Sequence, residues 1–362
     1  MAMARLRTPL CDLLGIRTPI LLAGMAAGPC TPELVAAVSG AGGLGVFGAT
    51  GMSTDALVDD IMRARARGAR AIGVNVQIAR ANAPRAEASA LTAALADVRT
   101  SLGLPASPPD TASPPTPASP RELVAAALAA GATVVATGLG DPAEIADLAA
   151  AAGAPVLAMV ASVDDARRAV GSGATAIIAQ GAEAGGHRAS FDVPADGRVP
   201  LVGTMALVPQ VVDAVSVPVI ASGGIMDGRG LAAALMLGAQ AVSLGTRFLL
   251  ATESAASATY RRRLAGLPET GTVVTDAVTG RPARWVRNTL TETLEHGPGH
   301  IGWGPQRRAL DDIRRAATER DAPEYLPMLA GQGAGLAREQ PAAEIVAEIA
   351  AEAAAVIDRL GG

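Results

Sequence analysis

Short apolar runs alternate with longer segments of helical periodicity along most of the chain. Each run is bounded by Gly or Pro and is apolar at nearly every position, which is typical of a parallel strand buried on both faces. The pattern predicts eight strands, at residues 20–23, 44–47, 71–76, 133–136, 155–160, 174–179, 218–221 and 241–244.

The segments between these runs predict helices. Pro32, Pro120 and Pro142 stand where the first residue of a helix is expected, because a helix needs no amide hydrogen there. Gly131 and Gly238 follow the last periodic residues, as helix C-termini prefer. The predicted helices cover residues 32–39, 54–67, 120–130, 142–151, 163–170, 205–215 and 228–237.

Eight strands that alternate with helices over roughly 250 residues predict an α/β fold, a (β/α)8 TIM barrel. We place the barrel at residues 1–254. An open, doubly wound parallel sheet is the alternative that this pattern leaves.

Three regions depart from the repeat. Residues 104–120 are rich in Pro, Ser and Ala, which predicts a mobile or polyproline-like insertion in the barrel. Residues 255–338 hold both tryptophans, both tyrosines and two of the three histidines. We expect an appended, mostly helical subdomain there, near the C-terminus and beside the barrel mouth. Residues 339–362 predict an amphipathic helix that packs on the barrel.

Composition and charge exclude several classes of function. The net charge of −4 does not favour nucleic acid or an acidic membrane surface, and no apolar run is long enough for a membrane span. We therefore expect a soluble, cytoplasmic protein. The chain has no lysine, which excludes Schiff-base chemistry and a P-loop. Cys11 and Cys30 lack the spacing of metal ligands, so no metal site is predicted.

Two glycine-rich segments follow the last two predicted strands. In a parallel barrel the carboxyl ends of the strands line the catalytic face, and the loops after the final two strands commonly bind phosphate. Gly223, Gly224, Gly245 and Thr246 are the residues at these positions. The helix that begins near Asp227 should direct its positive N-terminus toward the same anion. Tight backbone packing is the alternative role for these glycines.

His187 stands on a long loop after the sixth predicted strand, behind two glycines. It is the one histidine expected on the catalytic face. With neither lysine nor a metal cluster, it is the best titratable candidate near neutral pH for proton transfer or for stabilising an anion. A structural hydrogen bond is the alternative role. Arg188 fits either a loop contact or a charge near the substrate.

These segments resemble the nitronate monooxygenase (2-nitropropane dioxygenase-like) family. The resemblance is most specific at Gln180-Gly-Ala-Glu-Ala-Gly185-Gly-His187. It extends over residues 19–25, 73–75, 203–210, 221–225, 244–248, 280–284 and 331–332, and so over most of the chain.

The resemblance implies that the barrel binds FMN and that His187 is the catalytic residue. Asn75 and Gln180 would contact the isoalloxazine ring, and Met25 would lie against the flavin. The phosphate and its surroundings would be held by the strand-end residues. The implied cofactor-binding residues are Gly24, Met25, Asn75, Gln180, Gly185, Gly223, Gly224, Ser243, Leu244, Gly245 and Thr246.

The implied activity is the oxidation of alkyl nitronates, and of nitroalkanes, by O2 to carbonyl compounds and nitrite. FMN-dependent enoyl-[acyl-carrier-protein] reductases share the Gly-Gly-His segment and the phosphate loops. They and the NAD(P)H:quinone reductases are the alternatives. A non-catalytic flavin-binding protein is a further, minor alternative. The sequence leaves open whether NAD(P)H is used and whether the chain forms a homodimer.

Overall fold

The computed structural model describes residues 6–79, 82–107 and 117–361. Eight parallel strands form its main sheet, and a two-residue strand, β7, lies outside that sheet. Each predicted strand coincides with an observed one, and the ends differ by at most two residues. The strands are β1 (Ile20–Leu22), β2 (Gly45–Gly48), β3 (Ile72–Gln77), β4 (Val134–Gly138), β5 (Val156–Val160), β6 (Ala176–Gln180), β7 (Gly186–His187), β8 (Val219–Ser222) and β9 (Ala241–Leu244).

The main sheet is closed into a barrel. Its hydrogen-bonded neighbours follow the order β1, β9, β8, β6, β5, β4, β3, β2. The first and last strands of that order also meet, because the amide of Leu22 donates to the carbonyl of Leu44 (2.9 Å) and the amide of Leu44 donates to that of Ile20 (3.0 Å). The predicted (β/α)8 TIM barrel is therefore confirmed, and the open sheet is wrong.

Helices alternate with the strands and cover the outside of the barrel. Side-chain caps set where several begin: the hydroxyl of Thr31 accepts the amide of Leu34 at 3.0 Å. The helices are α1 (Pro9–Leu14), α2 (Pro32–Gly40), α3 (Thr54–Ala66), α4 (Ala88–Ala94), α5 (Ala96–Ser101), α6 (Pro120–Ala129), α7 (Ala146–Ala151), α8 (Val163–Gly171), α9 (Thr204–Ala214), α10 (Gly228–Met236), α11 (Thr246–Leu249), α12 (Ala258–Leu264), α13 (Thr289–Glu295), α14 (Pro305–Ala309), α15 (Asp311–Glu319) and α16 (Ala342–Gly361), with 3-10 turns at Pro142–Glu144, Pro323–Tyr325 and Ala334–Leu336.

Apolar side chains fill the amino end of the barrel. Leu21, Leu157 and Ile178 point into this interior cluster, and Leu10 and Leu14 of α1 close it from below. A second, larger cluster lies between the strands and the surrounding helices. Because the amino end is packed, the open space of the barrel is at the carboxyl ends of the strands, where α/β barrels carry their sites.

The region after the barrel contains helices α12 to α15, as expected, together with two strands that were not predicted. They are β10 (Thr272–Thr275) and β11 (Ala283–Val286), which pair antiparallel. Strand β11 also pairs with β7, so that Ala283 lies opposite His187. The run of β-branched residues at 272–275 was the signal for a strand.

Helices α4 and α5, between β3 and β4, share a hydrophobic cluster with this appended region. Residues 108–116 of the Pro-rich segment lie outside the described residues, and Pro120 begins α6. Helix α16 packs against α10. The division of the chain at residues 254 and 338 stays a prediction. No helix in the described part of the chain is long and apolar enough to cross a membrane.

Candidate active site

A cavity of about 510 Å³ opens at the carboxyl ends of the barrel strands. Its volume is in the range that holds one small-molecule ligand. The residues that the sequence singled out for catalysis and cofactor binding all line this cavity. They are Gly24, Met25, Asn75, Gln180, Gly185, His187, Gly223, Gly224, Ser243, Leu244, Gly245 and Thr246.

The turn after β8 forms one end of the cavity. Gly223 (φ +119°) and Gly224 (φ +70°) lie in the left-handed region, which glycine adopts without strain. A Cβ atom at Gly223 would also lie 2.8 Å from the hydroxyl oxygen of Thr204. Backbone amides can approach an anion closely at such a turn, which is the arrangement the sequence predicted.

The first amides of α10 are already hydrogen-bonded to carboxylates. Asp227 caps the helix, with its carboxylate accepting from the amides of Arg229 (3.0 Å) and Gly230 (3.4 Å). The amide of Gly228 donates to Glu352 of α16 at 2.9 Å. Two carboxylates already satisfy this helix end, and an anion in the cavity would depend on the loop amides instead.

The residues at the carboxyl end of β9 and directly after it line the same cavity. The side chain of Ser243 is 3% exposed and makes no hydrogen bond with the described residues. The hydroxyl of Thr246 accepts the amide of Gly331 at 2.9 Å, which ties the appended region to the barrel. The side chain of Leu244 belongs to the hydrophobic core, so this residue presents its backbone to the cavity.

The opposite wall is built around Asn75 of β3. Its Nδ2 donates to the carbonyl of Gly24 at 3.2 Å, and its Oδ1 is buried with no hydrogen-bond partner among the described residues. A Cβ atom at Gly24 would lie 2.5 Å from that of Asn75, so only glycine fits there. Asn75 thus holds the loop of Met25 and retains one unused acceptor.

Gln180 holds the loop that carries the histidine. Its Nε2 donates to the carbonyl of His187 (2.9 Å), and its Oε1 accepts the amide of Ala189 (3.0 Å). A Cβ atom at Gly185 would lie 2.5 Å from the backbone of Ala330, so close packing against the appended region requires this glycine. A contact of Gln180 with a flavin ring stays a prediction, since its carboxamide already serves the loop.

Arg188 is a loop contact. Its guanidinium donates to the carbonyls of Gly181 (2.9 Å) and Gln180 (3.0 Å), and the residue is 1% exposed. Burial, followed by the positive charge of Arg284, lowers the pKa of Arg188 to about 10. Arg188 is absent from the cavity wall, so the structure answers the question that the sequence left open.

His187 lies at the centre of the wall opposite Asn75 and is partly exposed to the cavity. Its Nε2 lies 2.9 Å from the hydroxyl oxygen of Thr279. The rings of Trp303 and Trp285 meet it edge to face, with centroids 4.8 Å and 6.0 Å away. Strand pairing, one hydrogen bond and two aromatic contacts therefore fix the imidazole.

The surroundings of His187 disfavour its charged form. Burial, followed by the positive charges of Arg281 and Arg307, lowers the pKa of His187 from 6.5 to about 3. The imidazole is therefore neutral at physiological pH, in a positive environment that favours an anionic ligand.

The appended region supplies several cavity residues that the sequence pattern did not single out. Tyr260, Thr279, Trp285, Trp303 and Arg307 all reach the wall from this side. Both tryptophans of a chain with 2% aromatic residues fall in this region, which was the available signal. The region therefore completes the cavity and is more than an external addition.

A closed (β/α)8 barrel with glycine turns and a half-buried histidine around one cavity defines an enzyme of the barrel class. The model of the family described as nitronate monooxygenase matches residues 7–352, so the chain belongs to that family. It is 38% identical over 347 residues to a probable nitronate monooxygenase of Staphylococcus aureus, covering 94% of this chain and 95% of the relative. These matches make the protein an oxidoreductase.

Solved structures agree with this assignment. The nitroalkane oxidase of Streptomyces ansochromogenes is 34% identical, with a TM-score of 0.83 over 98% of this chain and 100% of that one. FabK of Thermotoga maritima is 33% identical, with a TM-score of 0.76 over 98% and 99%.

Proposed function

We propose that the protein binds FMN in this cavity and uses it to oxidise alkyl nitronates with O2, giving carbonyl compounds and nitrite. Flavin dependence is general in the nitronate monooxygenase family to which the chain belongs. The observation that carries the proposal is that one cavity joins the glycine turn at Gly223 and Gly224 to the neutral imidazole of His187.

The residues present fit a flavin nucleotide. The left-handed turn at Gly223 and Gly224 offers backbone amides to a phosphate dianion, with Ser243 and Thr246 beside it. At the other end, the unused Oδ1 of Asn75 would accept a hydrogen bond from an N–H group of the ring. When bound, FMN would supply the electron acceptor and the reactivity with O2.

The remaining groups would bind and orient the substrate. The imidazole of His187 would hydrogen-bond a nitro or nitronate oxygen, or would remove the α-proton of a neutral nitroalkane. The charges of Arg281 and Arg307, which disfavour an imidazolium, favour a bound nitronate anion by the same electrostatics. Trp285 and Trp303 cover the imidazole and limit the access of water to it.

Anaerobic mixing of the purified protein with an alkyl nitronate tests the proposal. We expect a yellow protein whose flavin absorbance is bleached by the nitronate without NAD(P)H, and nitrite on admission of O2. Rapid bleaching by NADH or NADPH, with no response to nitronate, would support a reductase acting on enoyl thioesters or quinones instead. A colourless protein that takes up no FMN would contradict the cofactor proposal.

The oligomeric state and the cellular location are separate proposals. We propose a homodimer in the cytoplasm, with the nitronate and O2 as the small-molecule partners. Sedimentation equilibrium of the purified chain would measure its mass, and a monomer at all concentrations would contradict the dimer.

A further inference from the structure

The hydroxyl oxygen of Thr279 lies between a ring nitrogen and a carbonyl oxygen. It is 2.9 Å from Nε2 of His187 and 3.4 Å from the carbonyl oxygen of Arg281, which can only accept a hydrogen bond. Thr279 is 6% exposed, so water does not readily replace either contact. A hydroxyl has a single proton to donate, and the direction of that proton decides which imidazole nitrogen carries a hydrogen.

Of the two possible directions of the hydroxyl proton, one gives a hydrogen-bond partner to the Thr279 hydroxyl, to Nε2 of His187 and to the carbonyl of Arg281. If the hydroxyl donates to the carbonyl of Arg281, its oxygen accepts from Nε2–H of His187. The reverse arrangement directs the hydroxyl proton to Nε2 and leaves that carbonyl with no hydrogen-bond donor among the described residues. Arg281 is 3% exposed, and a buried carbonyl without a donor is costly, so the first arrangement is favoured even though its contact with that carbonyl is long.

We propose that Thr279 is a positioning residue that holds His187 in the Nε2–H tautomer, so that Nδ1 is the nitrogen that takes a proton from a neutral nitroalkane. No hydrogen-bond partner of Nδ1 is among the described residues. In this step the α C–H bond breaks, an N–H bond forms at Nδ1, and the electron pair moves onto the nitro group. The products are a nitronate and an imidazolium.

The inference rests on the proposed function for its substrate. The charges of Arg281 and Arg307 oppose an isolated imidazolium, but the nitronate formed beside the ring supplies a compensating negative charge. Thr279 would therefore matter for neutral nitroalkanes, which must lose a proton. It would matter little for preformed nitronates, which have already lost it and to which Nδ1, carrying no hydrogen in this tautomer, donates no hydrogen bond.

The fold sets the position of the Thr279 hydroxyl. Asn82 donates from Nδ2 to the carbonyl of Gly280 (2.5 Å) and accepts at Oδ1 from the amide of Trp303 (2.7 Å). The same turn is closed by a hydrogen bond from the amide of Gly280 to the carbonyl of Asp276 (2.7 Å). One side chain therefore ties the turn of Thr279 to the tryptophan that covers His187.

Two variants test the proposal. Thr279→Val keeps the shape of the side chain and removes the hydroxyl, and Thr279→Ser keeps the hydroxyl as the matched control. The holoprotein is labelled with ¹⁵N-histidine, and the three histidines are told apart by the spectrum of a His187→Gln variant. We expect the Nε2–H tautomer of His187 in the wild type and in Thr279→Ser, and a mixture of tautomers in Thr279→Val.

Kinetics give an independent measurement. Thr279→Val should lower kcat for neutral nitroethane about tenfold, the loss expected for one hydrogen bond, and should change kcat for ethyl nitronate less than about twofold. Thr279→Ser should restore both rates. Should Thr279→Val fail to fold, Thr279→Ala serves as the hydroxyl-free variant.

An Nδ1–H tautomer in the wild type would overturn the proposal, as would an unchanged tautomer and unchanged rates in the hydroxyl-free variant. A wild type that oxidises neither substrate would contradict the proposed function. The tautomer measurement would still decide whether Thr279 orients the imidazole, so the two failures are distinguishable.

Discussion

A single negative charge at Gly224 offers a direct test of where the FMN phosphate binds. A Cβ atom there would lie 3.4 Å from the Cβ of Glu183, an ordinary contact, so a side chain fits without displacing the backbone. The φ of +70° is one that Asn and Asp tolerate better than other residues with a side chain. Gly224→Asp and the matched Gly224→Asn therefore differ in charge while sharing shape and backbone strain.

The expected magnitude follows from Coulomb's law. Two unit charges about 6 Å apart in an effective dielectric of about 20 repel by about 3 kcal/mol. Solvent at the cavity mouth reduces this value, so we expect at least about 1.4 kcal/mol between the two variants. That difference corresponds to an FMN dissociation constant about tenfold larger, or more, for Gly224→Asp than for Gly224→Asn.

Titration of the apoprotein variants with FMN, followed by quenching of flavin fluorescence, measures this ratio. Thermal melting of both variants checks that the fold is retained. The ratio should shrink as salt is raised, because ions screen the repulsion. Equal FMN affinities in two folded variants would refute the reasoning and place the phosphate away from the turn after β8.

Further predictions concern the histidine and its loop. His187→Ala should keep FMN and lose about 10²–10⁴ in turnover, as steady-state rates on nitronates and nitroalkanes would measure, and wild-type rates would make the residue structural. The folded-state pKa of His187 lies below its ordinary value of 6.5, at about 3, so its contribution to stability is present above pH 6.5 and is lost as the pH falls toward 3. Urea unfolding between pH 7 and 4 should therefore show a steeper loss in the wild type than in His187→Gln. Gln180→Glu replaces the donor to the His187 carbonyl by an acceptor and should destabilise the loop by about 1–3 kcal/mol, measured by hydrogen exchange of its amides. Gly185→Ala should lower the melting temperature because its Cβ meets the backbone of Ala330, whereas Gly245→Ala, whose nearest neighbour is at 3.6 Å, should not.

The barrel could be predicted from the sequence because its strands are buried on both faces. Continuous apolar runs such as 156–160, bounded by Gly or Pro and repeated at regular intervals, are typical of the parallel strands of an α/β fold. Strands β10 and β11 were not predicted because they lack such continuous apolar runs. They are short and partly polar, and the pairing of β11 with β7 joins residues that are about a hundred positions apart in the chain.

The residues of the candidate site likewise fall into those that local sequence predicts and those that only long-range contacts reveal. The residues of the candidate site that were predicted stand at the ends of barrel strands or on the loops that follow them, where local sequence and a known geometry are enough. Thr279 and Trp303 reach His187 from the appended region, across 92 positions of the chain in the case of Thr279. Nothing in the local sequence of Thr279 marks it as a partner of a histidine.

Residue type alone could not separate groups that face a ligand from groups that hold the loop. Gln180 and Arg188 are polar residues beside the candidate catalytic histidine, and the residue type of each fits either role. The hydrogen bonds of Arg188 decide for the loop, because its guanidinium donates to two backbone carbonyls and the residue does not line the cavity. Gln180 also uses its carboxamide on the loop, but it lines the cavity as well, and its contact with a flavin stays a prediction. The planar fork of arginine suits this work, since it can reach two carbonyls at once, and Arg284 makes a similar contact with the carbonyl of Ala182. In a chain without lysine, the buried arginines Arg188 and Arg284 thus position the backbone of the site, and we expect the imidazole of His187 to meet the substrate.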